Sequence, residues 1–183
     1  MLIDAAADPD RLLPWIGDSG LDTVVTTHQH WDHHRALDAV VKATGATTMA
    51  GAPDAAAITE QTAVPIVREL HHGDRITVGE SELEVIALRG HTPGSVALLY
   101  DDPAGHAHLF TGDSLFPGGV GNTFGDKEAF VQLLDDVEKW IFGRLADETW
   151  FYPGHGDDST SVPNGRTWRS GASAVGECDG YWP

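Results

Sequence analysis

A β-branched run that ends in a cluster of histidines constrains this chain more than any other feature. Leu21–Thr27 is typical of a buried strand, and it runs directly into the segment His28-Gln-His-Trp-Asp-His33. Two histidines separated by one residue on an extended turn can point to the same side, and Asp32 and His33 can face a second position. A polar helix N-terminus with incidental histidines is the alternative, but the added carboxylate and third histidine disfavour it. Because imidazole nitrogen and carboxylate oxygen are ligands of zinc-class metals, this loop predicts a site for two ions.

Three further loops repeat the pattern of a strand followed by a histidine or aspartate beside glycine. They contain the segments Gly-His91-Thr-Pro-Gly, Thr-Gly-Asp113-Ser and Pro-Gly-His155-Gly. Each residue by itself would read as an ordinary turn residue, but the ends of neighbouring strands are rigid and can converge in space. Asp113 has two carboxylate oxygens, so it could bridge two ions. We therefore expect these loops to join the histidine cluster in one metal site.

The remaining patterns predict short strands and helices that alternate along the chain. Further strands are expected at Arg75–Val78, Glu82–Leu88, Ser95–Tyr100, His108–Thr111 and Thr149–Tyr152. Apolar residues recur at helical spacing in His34–Thr44, which Gly45 can end, and in Asp126–Phe142, where Asp126 can cap the start. The predicted fold class is therefore mixed α/β.

Charge and composition exclude several classes of partner. The chain carries 28 acidic and 11 basic residues, a net charge of −17, so nucleic acid would be repelled and is not expected as a partner. No apolar run approaches the roughly 20 residues that a membrane span needs. A small-molecule substrate is the expected partner, and the sequence leaves the oligomeric state open. Because the single cysteine, Cys178, cannot form an internal disulfide and the N-terminus shows no secretory signal, a cytoplasmic location is expected.

The length of 183 residues suits one domain, which we expect at residues 1–158. Residues 159–183 are rich in glycine and serine and show no periodicity. We therefore expect the chain to end in an atypical, disordered tail.

Taken together, the four motifs resemble those of a known superfamily. His-x-His-x-Asp-His, Gly-His-Thr-Pro-Gly, Thr-Gly-Asp and Pro-Gly-His-Gly, in this order, resemble the metallo-β-lactamase superfamily. Within it, the chain looks most like small hydrolases of the glyoxalase II (hydroxyacylglutathione hydrolase) type. The resemblance covers roughly Leu2 to Asp158 and implies a four-layer αββα sandwich with the metals at one edge between the sheets. It also implies a metal-dependent hydrolase that attacks a thioester, ester or lactone carbonyl with a hydroxide shared by two zinc ions.

The resemblance assigns a role to each candidate ligand. His28, His30 and His91 would hold the first metal, Asp32, His33 and His155 would hold the second, and Asp113 would bridge them. Two zinc ions per chain are expected, with iron or manganese as alternatives. Asp32 would also be catalytic, because its carboxylate can orient the hydroxide.

The other histidines and a glycine-rich loop are not expected to bind metal. We expect His34, His71, His72, His106 and His108 to be structural or surface residues, with His34 facing the following helix. The loop Phe116–Phe124 lacks the Gly-Lys-Ser/Thr ending of a phosphate-binding P-loop, so we expect it on the substrate side of the site.

The sequence also departs from this family in ways that leave its activity open. Glyoxalase II proteins carry a basic residue where this chain has Asn122, so the sequence leaves open whether glutathione thioesters are substrates. Family members have one or two strands upstream of the segment that begins here at Met1. We therefore expect the sandwich to lack its first strands and the functional product to begin further upstream. Two alternatives follow. One is an oxidoreductase that resembles persulfide dioxygenases, with one iron at His91, Asp113 and His28 or its neighbours; the other is an inactive truncated fragment.

Overall fold

The computed structural model describes residues 1–160, which form twelve strands and four α-helices. The strands are β1 Leu2–Ile3, β2 Thr23–Thr26, β3 Thr47–Gly51, β4 Arg68–Leu70, β5 Arg75–Val78, β6 Ser81–Ala87, β7 Val96–Asp101, β8 Ala107–Gly112, β9 Leu115–Phe116, β10 Gly119–Val120, β11 Trp150–Pro153 and β12 Ser159–Thr160. The helices are α1 Pro9–Ile16, α2 Leu37–Thr44, α3 Ala52–Thr62 and α4 Lys127–Val137, which continues as a π-helical turn, Glu138–Phe142. None of the helices within this range is long and apolar enough to cross a membrane.

Two sheets lie at the centre of the molecule. In the first, the strand order is β1-β2-β3-β4 and every neighbouring pair is parallel. In the second, the order is β12-β11-β8-β7-β6-β5, and its pairs are antiparallel except for β11 and β8, which run parallel. Strands β9 and β10 form a separate two-stranded ladder.

Three apolar clusters hold these layers together. Val25 of the first sheet and Val85 of the second belong to the cluster between the sheets. Leu37 and Ile58, from α2 and α3, belong to the cluster on the outer side of the first sheet. Leu133 of α4 belongs to the cluster on the outer side of the second sheet. The layers therefore follow the order helix, sheet, sheet, helix, which confirms the αββα sandwich.

The predicted elements are present, with small shifts at their ends. Helix α2 begins at Leu37 rather than at His34, because the preceding residues form a short 3-10 turn at Trp31–His33. It ends at Gly45, whose φ of 72° is a left-handed conformation that glycine adopts without strain. Asp126 caps α4, since its carboxylate accepts hydrogen bonds from two backbone N–H groups of the first turn, both at 3.0 Å.

The sequence patterns do not single out α1, β3, α3 and β4. Pro14 lies inside α1 and interrupts the usual helical pattern. The buried residues of α3 are Asp54, Ala55 and Ile58, so its apolar stripe is narrow and includes a carboxylate. Strands β3 and β4 are short, and their sequences alternate weakly.

The two ends of the described chain each contribute a short edge strand. β1 lies at the edge of the first sheet, so β2 has neighbours on both sides, β1 and β3, as its run of valine and threonine requires. At the other end, Ser159–Thr160 pair with β11 at the edge of the second sheet. The rest of the predicted tail, residues 161–183, lies outside the described residues.

Candidate metal centre

The residues that the sequence singles out as ligands come together at one edge of the sandwich. His28 and His30 follow β2, His91 follows β6, Asp113 follows β8 and His155 follows β11. The 3-10 turn after His30 adds Asp32 and His33 to the same place. The seven residues form three overlapping groups, and within each group the candidate ligand atoms lie within 4.8 Å of one another.

The first group is a set of three histidines, His28, His30 and His91. Their rings meet edge to face, with centroids 4.8 Å apart for His28 and His30, 4.8 Å for His28 and His91, and 4.6 Å for His30 and His91. Three imidazoles that converge in this way suit one metal ion of the zinc class.

The second group consists of Asp32, His33 and His155. The Nε2 atoms of His33 and His155 are 3.2 Å apart, and the His155 Nε2 lies 3.0 Å from Asp32 Oδ2. His33 is buried, whereas Asp32 and His155 are about one third exposed, with side-chain exposures of 37% and 36%. One side of this group is therefore open to solvent and to a substrate.

Asp113 lies between the two groups and faces both. Its Oδ1 is 3.4 Å from His33 Nε2, and its Oδ2 is 3.8 Å from His91 Nε2 and 3.6 Å from His155 Nε2. Its Oδ1 therefore faces the second group, whereas its Oδ2 faces one histidine of each group. This arrangement suits a carboxylate shared by two ions.

Hydrogen bonds outside the centre determine which nitrogen His28 and His91 present to it. The Nδ1 of His91 lies 2.8 Å from the carbonyl oxygen of Asn122, which can only accept, so Nδ1 carries the proton and Nε2 has a free lone pair. The Nδ1 of His28 contacts Thr27 Oγ1 at 3.1 Å. Both Nε2 atoms are buried and have no hydrogen-bond partner within residues 1–160. Since a buried acceptor without a partner is costly, the pair fits a divalent cation that would satisfy both.

The pKa shifts divide the histidines into two kinds. Burial lowers the pKa of His28, His30 and His91, so these rings are neutral and ready to bind a metal at neutral pH. Burial also opposes the charged form of His33, but hydrogen bonds to Asp113 and Asp4 outweigh it and raise its pKa to about 10. A cation that binds at His33 must therefore displace a proton.

Asp4 is a functional residue that the sequence motifs do not assign. It follows β1, and its Oδ2 lies 2.7 Å from His33 Nδ1. It also accepts hydrogen bonds from the backbone N–H of Thr27 at 2.7 Å and from the Thr27 hydroxyl at 2.8 Å. Asp4 therefore orients His33 and connects β1 to the start of the histidine loop. A signal is present in the sequence, because Leu-Ile-Asp repeats the pattern of a strand that ends in an aspartate.

Comparison with known proteins agrees with this geometry. The sequence profile of the metallo-β-lactamase superfamily matches residues 1–155. This chain belongs to the metallo-β-lactamase superfamily. The hydroxyacylglutathione hydrolase of Cereibacter sphaeroides is 36% identical over 136 residues, which cover 74% of this chain and 48% of that protein. The chain thus spans about half the length of this relative.

Solved structures of the superfamily share the same fold. ETHE1 from Myxococcus xanthus superposes with a TM-score of 0.74 at 30% identity, over 90% of this chain and 70% of that one. TTHA1623, whose crystal structure was determined in a di-iron-bound form, superposes with a TM-score of 0.71 at 29% identity, over 90% of this chain and 86% of that one. The fold and the superfamily membership are therefore established.

Glycines in two of the superfamily motifs allow close approach around the metal centre. A Cβ on Gly90 would overlap the carbonyl oxygen of Ala129 and would lie 2.6 Å from Leu133 Cβ, both on α4. A Cβ on Gly154 would overlap Asp113 Oδ1 and would lie 2.5 Å from the His33 ring. The chain next to His91 and His155 therefore has no room for a side chain at these two positions.

An ion pair anchors the loop of His91 to α4. Asp136, which is buried on α4, accepts hydrogen bonds from the backbone N–H and the Nε of Arg89 at 3.0 and 2.9 Å, and from a terminal nitrogen at 2.8 Å. The hydrogen bonds to Asp136 raise the pKa of the Arg89 guanidinium further, so Arg89 stays charged. The sequence pattern alone assigns no role to Arg89, although it lies two residues before His91.

Two other histidines make contacts outside the metal centre, and the glycine-rich loop borders the centre. His34 is buried, and its Nε2 lies 3.2 Å from Gln61 Oε1, whereas His108 contacts the Tyr152 hydroxyl at 2.8 Å. The glycine-rich loop borders the centre through Phe124, whose ring centroid lies 5.5 Å from that of His30. Phe124 is 68% exposed, so an exposed apolar surface lies beside His30 of the first group.

Proposed function

We propose that this chain is a metal-dependent hydrolase that uses two metal ions to cleave a thioester, ester or lactone. The observation that carries the proposal is the arrangement of Asp113 between a three-histidine group and the group of Asp32, His33 and His155. Two ions that share a ligand, when bound, supply Lewis acidity and activate a water as the nucleophile.

Different residues would hold the ions and orient the attacking water. His28 and His91 are fixed by their outer hydrogen bonds and would hold the first ion, while Asp113 would hold both. Asp32 is partly exposed, and although burial opposes its charged form, His33 and His155 lower its pKa and keep the carboxylate ionised. Its ionised oxygens can accept a hydrogen bond from the attacking water and orient it, so we propose Asp32 as the catalytic carboxylate. No side-chain nucleophile is needed.

Zinc is the metal we propose for both positions. Histidine nitrogen with a few carboxylate oxygens is a donor set that zinc prefers. The same donors also accept iron and manganese, and TTHA1623 was solved in a di-iron-bound form. The test below therefore compares zinc with ferrous iron.

The proposed substrate is a small acyl compound. Support comes from the hydroxyacylglutathione hydrolase relative, although the matched region is about half of that protein. The position after the Gly-x-Gly of the flanking loop is Asn122, which carries no positive charge, and its carbonyl holds His91. We therefore do not restrict the substrate to glutathione thioesters, and we include neutral esters and lactones.

An oxidoreductase with one iron is the second candidate. It is favoured by the likeness to ETHE1 from Myxococcus xanthus and by the presence of His28, His91 and Asp113 in adjoining groups. This candidate predicts one iron per chain and oxygen consumption with a persulfide substrate.

A single set of preparations separates the two candidates. The purified chain is stripped of metal, reloaded with zinc or with ferrous iron, and assayed against a thioester, ester and lactone panel and in an oxygen electrode. The hydrolase proposal expects two zinc ions per chain and hydrolysis that is lost on stripping and regained with zinc. Oxygen uptake with one iron, without zinc-dependent hydrolysis, would establish the alternative instead.

A further inference from the structure

Helix α3 contacts both of the loops that carry the three-histidine group. Asp54, in its first turn, accepts a hydrogen bond from the backbone N–H of Gln29 at 2.9 Å. It also accepts from the Thr92 hydroxyl at 2.5 Å and from the backbone N–H of Gly94 at 2.7 Å. One carboxylate therefore joins the loop of His28 and His30 to the loop of His91.

The partners of Asp54 are adjacent to the ligands rather than distant from them. Gln29 lies between His28 and His30 in the chain, and Thr92 directly follows His91. A displacement of either partner would move at least one imidazole of the first group.

Asp54 is fully buried, with no exposed surface. Burial raises its pKa, and the three donors from Thr92, Gly94 and Gln29 oppose that rise. A buried carboxylate is retained at such a cost only where its oxygens are satisfied. Here both oxygens are used, since Oδ2 accepts from Gln29 and Thr92 while Oδ1 accepts from Gly94.

A second residue of α3 completes the contact with the histidine loop. Gln61 donates from Nε2 to the carbonyl oxygen of Gln29 at 3.2 Å, and its Oε1 lies 3.2 Å from His34 Nε2. Both backbone polar groups of Gln29 are thus held by side chains of α3. The backbone between the two ligand histidines is fixed on each side.

The loop that follows His91 packs closely against the start of α3. A Cβ on Gly94 would lie 2.5 Å from the backbone nitrogen of Asp54, and a Cβ on Gly51 would overlap the carbonyl oxygen of Gly94. The loop that follows His91 therefore rests directly on the start of α3, with two glycines at the point of contact.

We propose that Asp54 is a positioning residue for the first metal, which sets the spacing of the three histidines by holding Gln29, Thr92 and Gly94. This role rests on the proposed metal-binding function. None of the hydrogen bonds of Asp54 within residues 1–160 involves the loop of His155 or the residue Asp113, so the effect of losing Asp54 is directed at one ion. Outer residues that orient ligands commonly change metal affinity by about 10–100-fold.

The test measures zinc affinity at one group at a time. His155→Ala weakens the second group, so competition with a chromophoric chelator then reports mainly on zinc at the three-histidine group. His30→Ala weakens the three-histidine group, so the same measurement reports mainly on zinc at the second group. Asp54→Asn is added to each background. In the His155→Ala background, we expect Asp54→Asn to lower zinc affinity about 10-fold or more. In the His30→Ala background, we expect it to lower zinc affinity by less than about threefold. The ligand-field spectrum of the cobalt-substituted protein is expected to change only in the former background.

Two further variants remove more or fewer of the Asp54 hydrogen bonds, and an exposed aspartate serves as the control. Asp54→Ala removes all three acceptor interactions and is expected to weaken binding more than Asp54→Asn, which keeps one carbonyl oxygen. Thr92→Val nearly preserves the side-chain shape but removes the hydroxyl that donates to Asp54 and contacts Ser95 Oγ at 2.7 Å, and it is expected to cause a smaller loss in the same direction. Asp38→Asn, at an exposed carboxylate paired with Lys42 on α2, is the matched control and is expected to change nothing.

The test distinguishes failure of the positioning role of Asp54 from failure of the proposed hydrolase function. If the wild-type chain binds two zinc ions and Asp54→Asn affects both backgrounds equally or neither, the positioning role is wrong while the hydrolase proposal stands. The positioning role is also wrong if Thr92→Val binds zinc as tightly as the wild type. If the wild-type chain binds no zinc, both proposals are overturned.

Discussion

Replacement of Gly90 by alanine should displace His91 and weaken metal binding. The added Cβ would lie 2.6 Å from Leu133 Cβ and would overlap the carbonyl oxygen of Ala129. Non-bonded carbons pack at about 3.5 Å or more, so the chain at residue 90 must move by roughly 1 Å. The φ of +141° adds backbone strain for a residue with a side chain. Because His91 is the next residue, its imidazole moves with the chain.

The size of the effect follows from how sensitive such sites are to position. A displacement of about 1 Å in a catalytic site can cost about 100-fold in rate, and overpacking costs about 1–3 kcal/mol of stability. We expect zinc affinity at the three-histidine group to fall at least about 10-fold, and hydrolysis to fall more. Zinc competition titration and thermal unfolding measure the two effects on the same sample.

Gly45→Ala is the matched control for this substitution. Gly45 also has a positive φ, of 72°, but a Cβ there would meet nothing within 4 Å. It therefore tests a positive φ, in the left-handed region that residues other than glycine tolerate better, without the overlap. We expect it to lower the melting temperature and to leave zinc affinity unchanged. If Gly90→Ala binds zinc as tightly as Gly45→Ala does, close packing against α4 does not position His91.

Three other predictions concern the ligands and an ion pair. His30→Ala should lower zinc content and abolish most hydrolysis without unfolding the domain, whereas His71→Ala, at an exposed histidine, should behave like the wild type; metal analysis and circular dichroism check both. Asp113→Ala should weaken both metal positions, since its oxygens face both groups, and a titration that loses only one ion would contradict the bridge. Arg144→Gln should lower the free energy of unfolding by about 1 kcal/mol at pH 7, because Arg144 holds the pKa of Glu84 below its usual value. That contribution is present above the unfolded pKa of about 4.3 and is lost as the pH falls through the lower folded pKa, so the difference from the wild type in urea unfolding should shrink as the pH is lowered through this range.

The sequence predicts the elements that follow simple patterns. The run before His28 is β-branched, and the stripe of α4 repeats at helical spacing, so both could be recognised locally. The candidate ligands could be recognised as well, because each follows a strand and lies beside glycine or another ligand. Their convergence follows from the parallel first sheet and from the parallel pair β8 and β11.

The supporting residues could not be predicted in the same way. Asp54 lies on a helix with a narrow apolar stripe, and its three partners are 25, 38 and 40 residues away in the chain. Asn122 contributes its backbone carbonyl to His91, and a backbone group leaves no trace in the residue type. Contacts of this kind depend on the relative placement of loops from different sheets. That placement comes from tertiary packing rather than from local sequence.

The number of metal ions bound by the purified chain tests the central claim most directly. After chelator treatment and dialysis, the chain is titrated with zinc and its metal content is measured by mass spectrometry against protein concentration. A site in which Asp113 joins two groups of ligands predicts two zinc ions per chain, and only one ion in His155→Ala. A wild-type chain that binds no zinc, or that binds one ion unaffected by His155→Ala, would contradict the account.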